Sequence, residues 1–262
     1  MGKRIGAALL CLALTLALTL ALGGCDFLPS ADFDDYDVSG YIQALLDSSY
    51  RDSHQLFMDV TQATQEGAKQ NNTTTVGNAA INFCNAYNLS PSEEQMTRLE
   101  GIMSQALRSV RYTVKEEQKV DTGYYIEVEV TPMVNLAGLG DEFKALRTQA
   151  QEEADAANTP AATPEPDESD GNGDWGNESW EDGGEEGEPS PTPAPTPEAP
   201  KVDAYSLYID KVLDSCQGKI AEPQFQTQSI VVALNIVQTN EGDLQLDLNQ
   251  IDTIDQTVLL FK

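Results

Sequence analysis

The sequence predicts an α+β fold, in which N-terminal helices pack on one face of an antiparallel sheet of about four strands. Residues 38–107 repeat apolar side chains at helical spacing. Residues 112–130 and 230–248 alternate apolar and polar side chains around turn residues, which is typical of hairpins. Residues 158–200 are rich in Pro and acid, so we expect a long disordered acidic insertion in this fold.

The composition excludes one class of partner. The chain has 262 residues, with 43 Asp and Glu against 15 Lys and Arg, and a formal net charge of -28 at pH 7. Nucleic-acid binding needs a basic surface, so we expect no nucleic acid partner. The chain has no G-x-S-x-G, Walker A or dinucleotide glycine motif, and we expect no cofactor.

The first 24 residues have the organisation of a signal peptide. Lys3 and Arg4 precede a Leu- and Ala-rich apolar run over residues 5–22. The run is also just long enough to cross a bilayer, so an uncleaved transmembrane helix is the alternative. The residues that follow the run indicate that residues 1–24 form a lipoprotein signal peptide and not a transmembrane helix.

The apolar run ends at Leu22-Gly23-Gly24-Cys25, which resembles the lipobox of bacterial lipoproteins. Small residues at Gly23 and Gly24 let a peptidase reach an extended backbone. The resemblance implies cleavage between Gly24 and Cys25 and transfer of a diacylglyceryl group to the Cys25 thiol.

Residues 25–37 form a short, Asp-rich tether between this lipid and the first helix. Cleavage removes Lys3 and Arg4 but no acid, so anionic membrane surfaces repel the mature chain. The lipid must therefore hold the protein, and two acyl chains hold stably. We expect a location at the outer face of the cell membrane, attached through the diacylglyceryl anchor and accessible to an envelope protein partner.

Residues 38–157 form the first part of the predicted domain. We expect four helices before residue 110, the second capped by Ser53 and the fourth beginning at the capping box Ser90-Pro91-Ser92-Glu93. A hairpin turning at residues 121–123 and a helix over 141–157 follow.

Residues 201–262 form the second part. We expect a helix over 202–216, a hairpin turning at 240–243 with Leu248 in its second strand, and a last helix capped by Asn249. An isolated hairpin is marginal in water, so both hairpins should join into one sheet of one domain. Two small lobes on a linker are the alternative.

Two cysteines remain after signal removal and lipidation, Cys84 and Cys216. An extracytoplasmic chain with two such residues favours a disulfide that closes a very long loop. The alternative is two small buried apolar residues that never meet.

The acidic insertion contains a weak Ca²⁺-loop pattern. Asp170, Asn172, Asp174 and Glu181 occupy positions 1, 3, 5 and 12 of such a loop, and oxygen ligands suit a hard cation. Trp175 stands where the sharp turn requires Gly. A chance match within an acidic stretch is therefore the alternative, and we prefer it.

Side chains that could support catalysis are few. His54 is the only histidine, which excludes a multi-histidine metal site, and we expect it on a solvated helix surface. Glu127 and Glu129 alternate onto the polar face of a strand, where solvation is the better interpretation.

Three segments resemble one family: R-S-V-R-Y-T-V-K at 108–115, K-V-D-T-G-Y-Y-I-E-V-E-V at 119–130, and the late hairpin and helix at 230–261. They look like uncharacterised lipid-anchored extracytoplasmic lipoproteins of Gram-positive bacteria. That family has no established catalytic residues or ligand, so the resemblance implies no site. The Pro-rich acidic insertion departs from the continuous helical stretch of the family.

Two classes of function are consistent with these patterns. We favour a non-enzymatic module that binds a partner or a small ligand close to the membrane. The alternative is an envelope enzyme whose carboxylates or backbone groups form no recognisable motif. A deep pocket with convergent polar groups of shifted pKa would favour the enzyme.

Overall fold

The fold is seen in a computed structural model that describes residues 37–159, 201–239 and 244–262. The helices in this part of the chain are α1 (Val38–Arg51), α2 (Gln55–Thr61), α3 (Gln65–Tyr87), α4 (Glu93–Arg108), α5 (Gly140–Asn158), α6 (Ala204–Ile220) and α7 (Leu248–Val258). The strands are β1 (Arg111–Val114), β2 (Gln118–Val120), β3 (Gly123–Thr131), β4 (Ile230–Gln238) and β5 (Leu244–Leu246).

The strands form one antiparallel sheet in the order β1-β3-β4-β5. The short β2 pairs with the same edge of β3, beyond the end of β1. The longest register runs from Gly123 opposite Val237 to Val130 opposite Ile230. The α+β class is confirmed, both hairpins join one sheet as expected, and β2 adds a strand to the predicted four.

Helices cover one face of this sheet. Tyr124, Ile126, Val128 and Val130 of β3 are buried there, and the residues between them are half-buried on the other face. Large side chains of the helices complete the core; those that are fully buried include Ile42, Leu46, Tyr50, Phe83, Leu99, Ile102, Met103, Leu107 and Ile209. Burial of one such side chain contributes roughly 1.5–3 kcal/mol, so this face fixes the position of the helices.

α4 begins with a capping box, but two residues later than predicted. The Ser92 hydroxyl accepts from the Gln95 N–H at 3.3 Å, and the Gln95 side chain accepts from the Ser92 N–H at 3.1 Å. The Gln95 amide also donates to the Ser206 carbonyl at 3.0 Å on α6. This contact between helices favours the Ser92–Gln95 box over the Ser90–Glu93 box.

Other boundaries also differ from the predictions, and α6 is Ala204–Ile220 where 202–216 was expected. α2 is preceded by His54, not Ser53, and has no side-chain cap. α7 begins at Leu248, which we had placed in a strand, because the Asp247 carboxylate caps it by accepting from the Asn249 N–H. α5 extends through Asn158, the first residue of the predicted insertion, whose side-chain amide donates to the Val202 carbonyl at 2.9 Å.

Cys84 on α3 and Cys216 on α6 are both free and buried. This is the second of the two alternatives that the sequence allowed. Burial raises the pKa of the Cys84 thiol to about 11 and that of Cys216 to about 12. Both side chains therefore act as small apolar groups in the core.

The C-terminal segment, residues 259–262, is held against α3 after α7 ends. Met133 accepts from the Leu260 N–H at 3.0 Å and donates to the Val258 carbonyl at 3.0 Å. The Tyr87 hydroxyl lies between the carbonyl oxygens of Leu136 and Phe261. These bonds leave a groove between the segment and the α3 surface.

Candidate functional site

The groove lies between α3 on one side and α7 with the C-terminal segment on the other. It encloses about 420 Å³. Its walls combine amide, small and apolar side chains with one carboxyl; the described lining residues are Thr75, Asn78, Ala79, Asn82, Asn85, Ala86, Leu107, Asp255, Gln256, Leu259, Leu260, Phe261 and Lys262. A cavity of this size fits a small polar molecule with an apolar part.

The α3 wall is a stripe of amides. Asn78, Asn82 and Asn85 are spaced by four and three residues, which places them on one face of the helix. The helix is fixed at both ends: the Thr64 hydroxyl accepts from the Gly67 N–H at 3.1 Å, and Asn88 adopts the left-handed conformation at the C-cap. The amides are therefore presented on a rigid element.

Asp255 supplies the carboxyl of the groove. Ile254 and Val258, its neighbours on the same side of α7, are fully buried and hold the helix against the core. The Tyr50 hydroxyl donates to Asp255 Oδ1 at 2.5 Å. Burial raises the pKa of Asp255, the Tyr50 hydrogen bond lowers it and the nearby Asp252 charge raises it, and the net pKa is about 6.

Tyr50 connects this carboxyl to a polar cluster that reaches the protein surface at Arg51. Its ring meets the Tyr112 ring edge-on, with 5.7 Å between centroids. The Tyr112 hydroxyl donates to Asp47, whose carboxylate pairs with Arg51 at 2.9 Å. Burial raises the pKa of Tyr50 well above its usual value, so Tyr50 stays a hydrogen-bond donor across the physiological range.

His54 is not on a solvated surface, contrary to our expectation, since its side chain is only 10% exposed. Its ring lies between the Ser48 hydroxyl at 3.0 Å and the Asp52 carboxylate at 2.8 Å. This resembles a Ser-His-Asp triad in composition. Ser48, however, is fully buried and donates its proton to the Ala68 carbonyl at 3.2 Å, so it cannot reach a substrate. The cluster joins α1 to α2 and α3.

Glu127 and Glu129 have partners on the outer face of the sheet. The Tyr125 hydroxyl donates to Glu127 at 2.9 Å, and Lys115 pairs with Glu129 at 2.6 Å. The hydrogen bond and charge of Lys115 lower the pKa of Glu129. An acid held ionised by a lysine on an open face is a poor proton donor, which favours a solvated surface position over acid-base catalysis.

The lipidation and metal predictions lie outside the described residues. This applies to the lipobox and Cys25, and to the Asp170, Asn172, Asp174 and Glu181 pattern, so both stay predictions. Calorimetry with Ca²⁺ tests the second, and lack of saturable binding at millimolar Ca²⁺ would remove it. Within the described ranges, no helix is both long and apolar enough to cross a membrane, and no three His, Cys, Asp or Glu side chains are grouped to hold a metal ion.

The groove residues were missed by the sequence reasoning, although one signal was present. Ile251, Ile254 and Val258 form the apolar stripe of α7, and Asp255 falls within the same stripe. An acid in a core-facing position is unusual because a buried carboxylate is costly. The asparagines of α3 gave no such signal, since exposed amides are common on helices.

Comparison with known proteins identifies no family. The chain matches no protein-family model and no curated protein. Among solved structures, it is similar to the crystal structure of "a putative lipoprotein (ycdA)" from Bacillus subtilis subsp. subtilis str. 168, at 8% sequence identity and a TM-score of 0.49. The match covers 84% of this chain and 55% of that chain, so this chain spans about half the length of that protein. Function therefore has to be argued from the site.

Proposed function

We propose that the protein is a lipid-anchored extracytoplasmic binding protein, in which the groove between α3 and the C-terminal segment takes a small ligand. The observation that carries the binding role is a carboxyl, Asp255, desolvated within a groove of about 420 Å³. Cavities of small-molecule sites measure roughly 300–1,000 Å³ and combine apolar walls with a few convergent polar groups. The groove has both properties.

The anchoring role rests on the Leu22-Gly23-Gly24-Cys25 pattern. Its test is mass spectrometry of the N-terminal peptide from cell-derived protein, which should begin at Cys25 and carry a diacylglyceryl group. Cys25→Ala should leave an unlipidated chain with its signal peptide attached. Cys11→Ala, within the signal peptide, is the matched control and should be processed normally. An unmodified Cys25 in the wild-type protein would contradict the anchor.

The binding role is tested by amide chemical shifts in a screen of small polar compounds. Hits should shift residues of α3 and the C-terminal segment together. Ala86→Trp should fill the groove and abolish these shifts, whereas Thr73→Trp, at an exposed position on the side of α3 away from the groove, should preserve them. Shifts that survive Ala86→Trp would place binding elsewhere. Crosslinking in the native envelope tests the protein-partner alternative.

One observation supports a second candidate, an envelope enzyme. A carboxyl with a pKa near 6 in a groove can act as a general acid near neutral pH. Hydrolysis of glycosides requires a second carboxylate facing the first across the bond, and Asp255 is the only acid among the described lining residues. Binding is therefore the better supported role, and turnover of any screened compound that Asp255→Asn abolishes would reverse this order.

A further inference from the structure

Asp255 faces the groove without a cation of its own. Its described hydrogen bond comes from the neutral Tyr50 hydroxyl, which occupies Oδ1. No described ion pair includes Asp255, and Lys262, the one basic residue among the described lining residues, is exposed. The charge of Asp252, a neighbour on the same helix that does not line the groove, raises the pKa of Asp255. At neutral pH the groove therefore holds a desolvated negative charge that lacks a counter-ion.

The rest of the lining accommodates a cation better than an anion. The side-chain amides of Asn78, Asn82 and Gln256 carry carbonyl oxygens that can accept from an ammonium or guanidinium group. Leu259 and Ala86 offer apolar surface for a short carbon chain. The net charge of -28 adds a field that attracts cations and repels anions over the whole molecule.

We propose that the groove binds a small organic cation, whose ammonium or guanidinium group pairs with the free oxygen of Asp255 and whose apolar part lies along Leu259 and Ala86. This inference rests on the proposed binding function and names its ligand class. In the complex the ligand neutralises this half-buried charge, which destabilises the free protein.

The groups that face Asp255 determine the pH dependence of binding. Tyr50 from α1 donates to it, Tyr112 lies behind Tyr50, Asp252 is on its own helix, and Lys262 lies at the groove. Of these, Asp255 itself titrates near neutrality, with a pKa of about 6. The ligand needs the ionised carboxylate, so affinity should fall as the pH is lowered through about 6 and should be flat above it.

The test compares two probes of equal shape, pentane-1,5-diammonium and pentane-1,5-diol, titrated into the full chain in detergent at low salt. The diammonium should bind and shift groove amides. The diammonium forms a charge-assisted hydrogen bond with the half-buried acid, and the diol cannot. We therefore expect the diol to bind the wild-type protein about tenfold more weakly, and the diammonium to bind Asp255→Asn about tenfold more weakly. Asp252→Asn removes the same charge from an exposed position and should change the affinity by less than about threefold.

A second pair of variants tests the inference independently, in case Asp255→Asn does not fold. Asn82→Lys places a cation in the groove and should weaken diammonium binding about tenfold. Gln70→Lys makes the same charge change on an exposed part of α3 away from the groove, and should have little effect. Equal losses in both lysine variants, or in both aspartate variants, would mean non-specific attraction to an acidic protein and would overturn the inference.

The remaining outcomes separate this inference from the proposed function. If the diol or other neutral compounds shift the groove amides as strongly as the diammonium, the cation preference is wrong while the binding groove stands. If no compound of either kind shifts them, both are wrong. A pH profile that is unchanged by Asp255→Asn would also overturn the inference, because another group would then control binding.

Discussion

At the scale of residues, Asp255 and Tyr50 form the feature that distinguishes this core. The tyrosine is fully buried and the carboxyl is half-buried, and they meet at 2.5 Å although they lie 205 positions apart. An apolar residue at 255 would continue the stripe of α7 at lower cost. Asp255 therefore lowers the free energy of unfolding, as is common for charged groups at sites of binding or chemistry.

Asp255→Asn should stabilise the free protein near neutral pH. A folded-state pKa of about 6 against 3.8 corresponds to about 3 kcal/mol, which partial exposure reduces to about 2 kcal/mol, and the amide oxygen can still accept from Tyr50. The raised pKa favours folding at acid pH, so the wild-type stability that is present below about pH 4 is lost as the pH rises through 6. Urea unfolding at pH 4 and pH 7.5 measures this.

The matched control for that experiment is Asp252→Asn, which should change stability by less than about 0.5 kcal/mol at either pH. If Asp255→Asn destabilises the protein at pH 7.5, ionisation of the wild-type carboxylate does not lower the unfolding free energy, and a further partner must stabilise its charge. The result would also weaken the inferred cation site.

Cys84 and Cys216 should behave as free thiols that react only after unfolding. Burial raises both pKa values, so little thiolate exists at neutral pH and access is blocked. In the chain lacking residues 1–24 and carrying Cys25→Ser, a thiol reagent should label neither residue quickly in the native state. Both should react in denaturant without reductant. Absence of reactive thiols there would show the disulfide instead.

At the scale of elements, the start of α4 shows how tertiary contact selects between two local signals. Both Ser90 and Ser92 are suitable caps, and each has a suitable residue three positions later. The structure uses Ser92 because Gln95 then reaches α6, while the Ser90 N–H donates to the Tyr205 hydroxyl at 2.8 Å. Local pattern alone could not choose between them.

Ser92→Ala should cost about 1 kcal/mol of unfolding free energy, since it removes the acceptor for the Gln95 N–H. Ser90→Ala is the matched control and should be nearly neutral, because the described contact of Ser90 uses its backbone. Thermal and urea unfolding measure both. A larger loss of unfolding free energy for Ser90→Ala than for Ser92→Ala would show that Ser90 is the N-cap, as the sequence predicted.

At the scale of the whole molecule, the two halves of the sheet come from segments on either side of residues 160–200. Asn158 and Val202 form two hydrogen bonds, Nδ2 to the carbonyl at 2.9 Å and N–H to Oδ1 at 2.8 Å. The two described residues that flank this segment most closely in these bonds, Asn158 and Val202, are therefore adjacent in the fold. This geometry makes a long insertion tolerable, because the entropy of closing a loop grows only slowly with its length.

Replacing residues 160–200 with a short Gly-Ser linker should preserve the fold. The shorter loop should raise the unfolding free energy by about 1 kcal/mol, since each halving of loop length contributes about 0.6 kcal/mol. Near-identical amide spectra of the remaining residues are expected. A loss of folding would mean that the insertion contributes contacts to the domain, contrary to its predicted disorder. Replacing Asn158 by Ala in the same background tests the closing bonds.

The sequence by itself determined the class of fold and, apart from β2, the order of helices and strands, and it predicts a lipid anchor. Each depends on local information: spacing of apolar side chains over a few turns, turn residues, and a peptidase motif that is read along an extended backbone. The same information placed the acid-rich break near residue 158, although α5 ends one residue inside it.

Only the tertiary structure decided which polar residues meet. Nothing in the local pattern of Asn78 or Asn82 connects them with Asp255, and the solvated position expected for His54 was wrong because α1, α2 and α3 meet around it. Local periodicity specifies which face of an element is buried, but the packing of distant elements decides what that face contacts. The groove is a product of that packing.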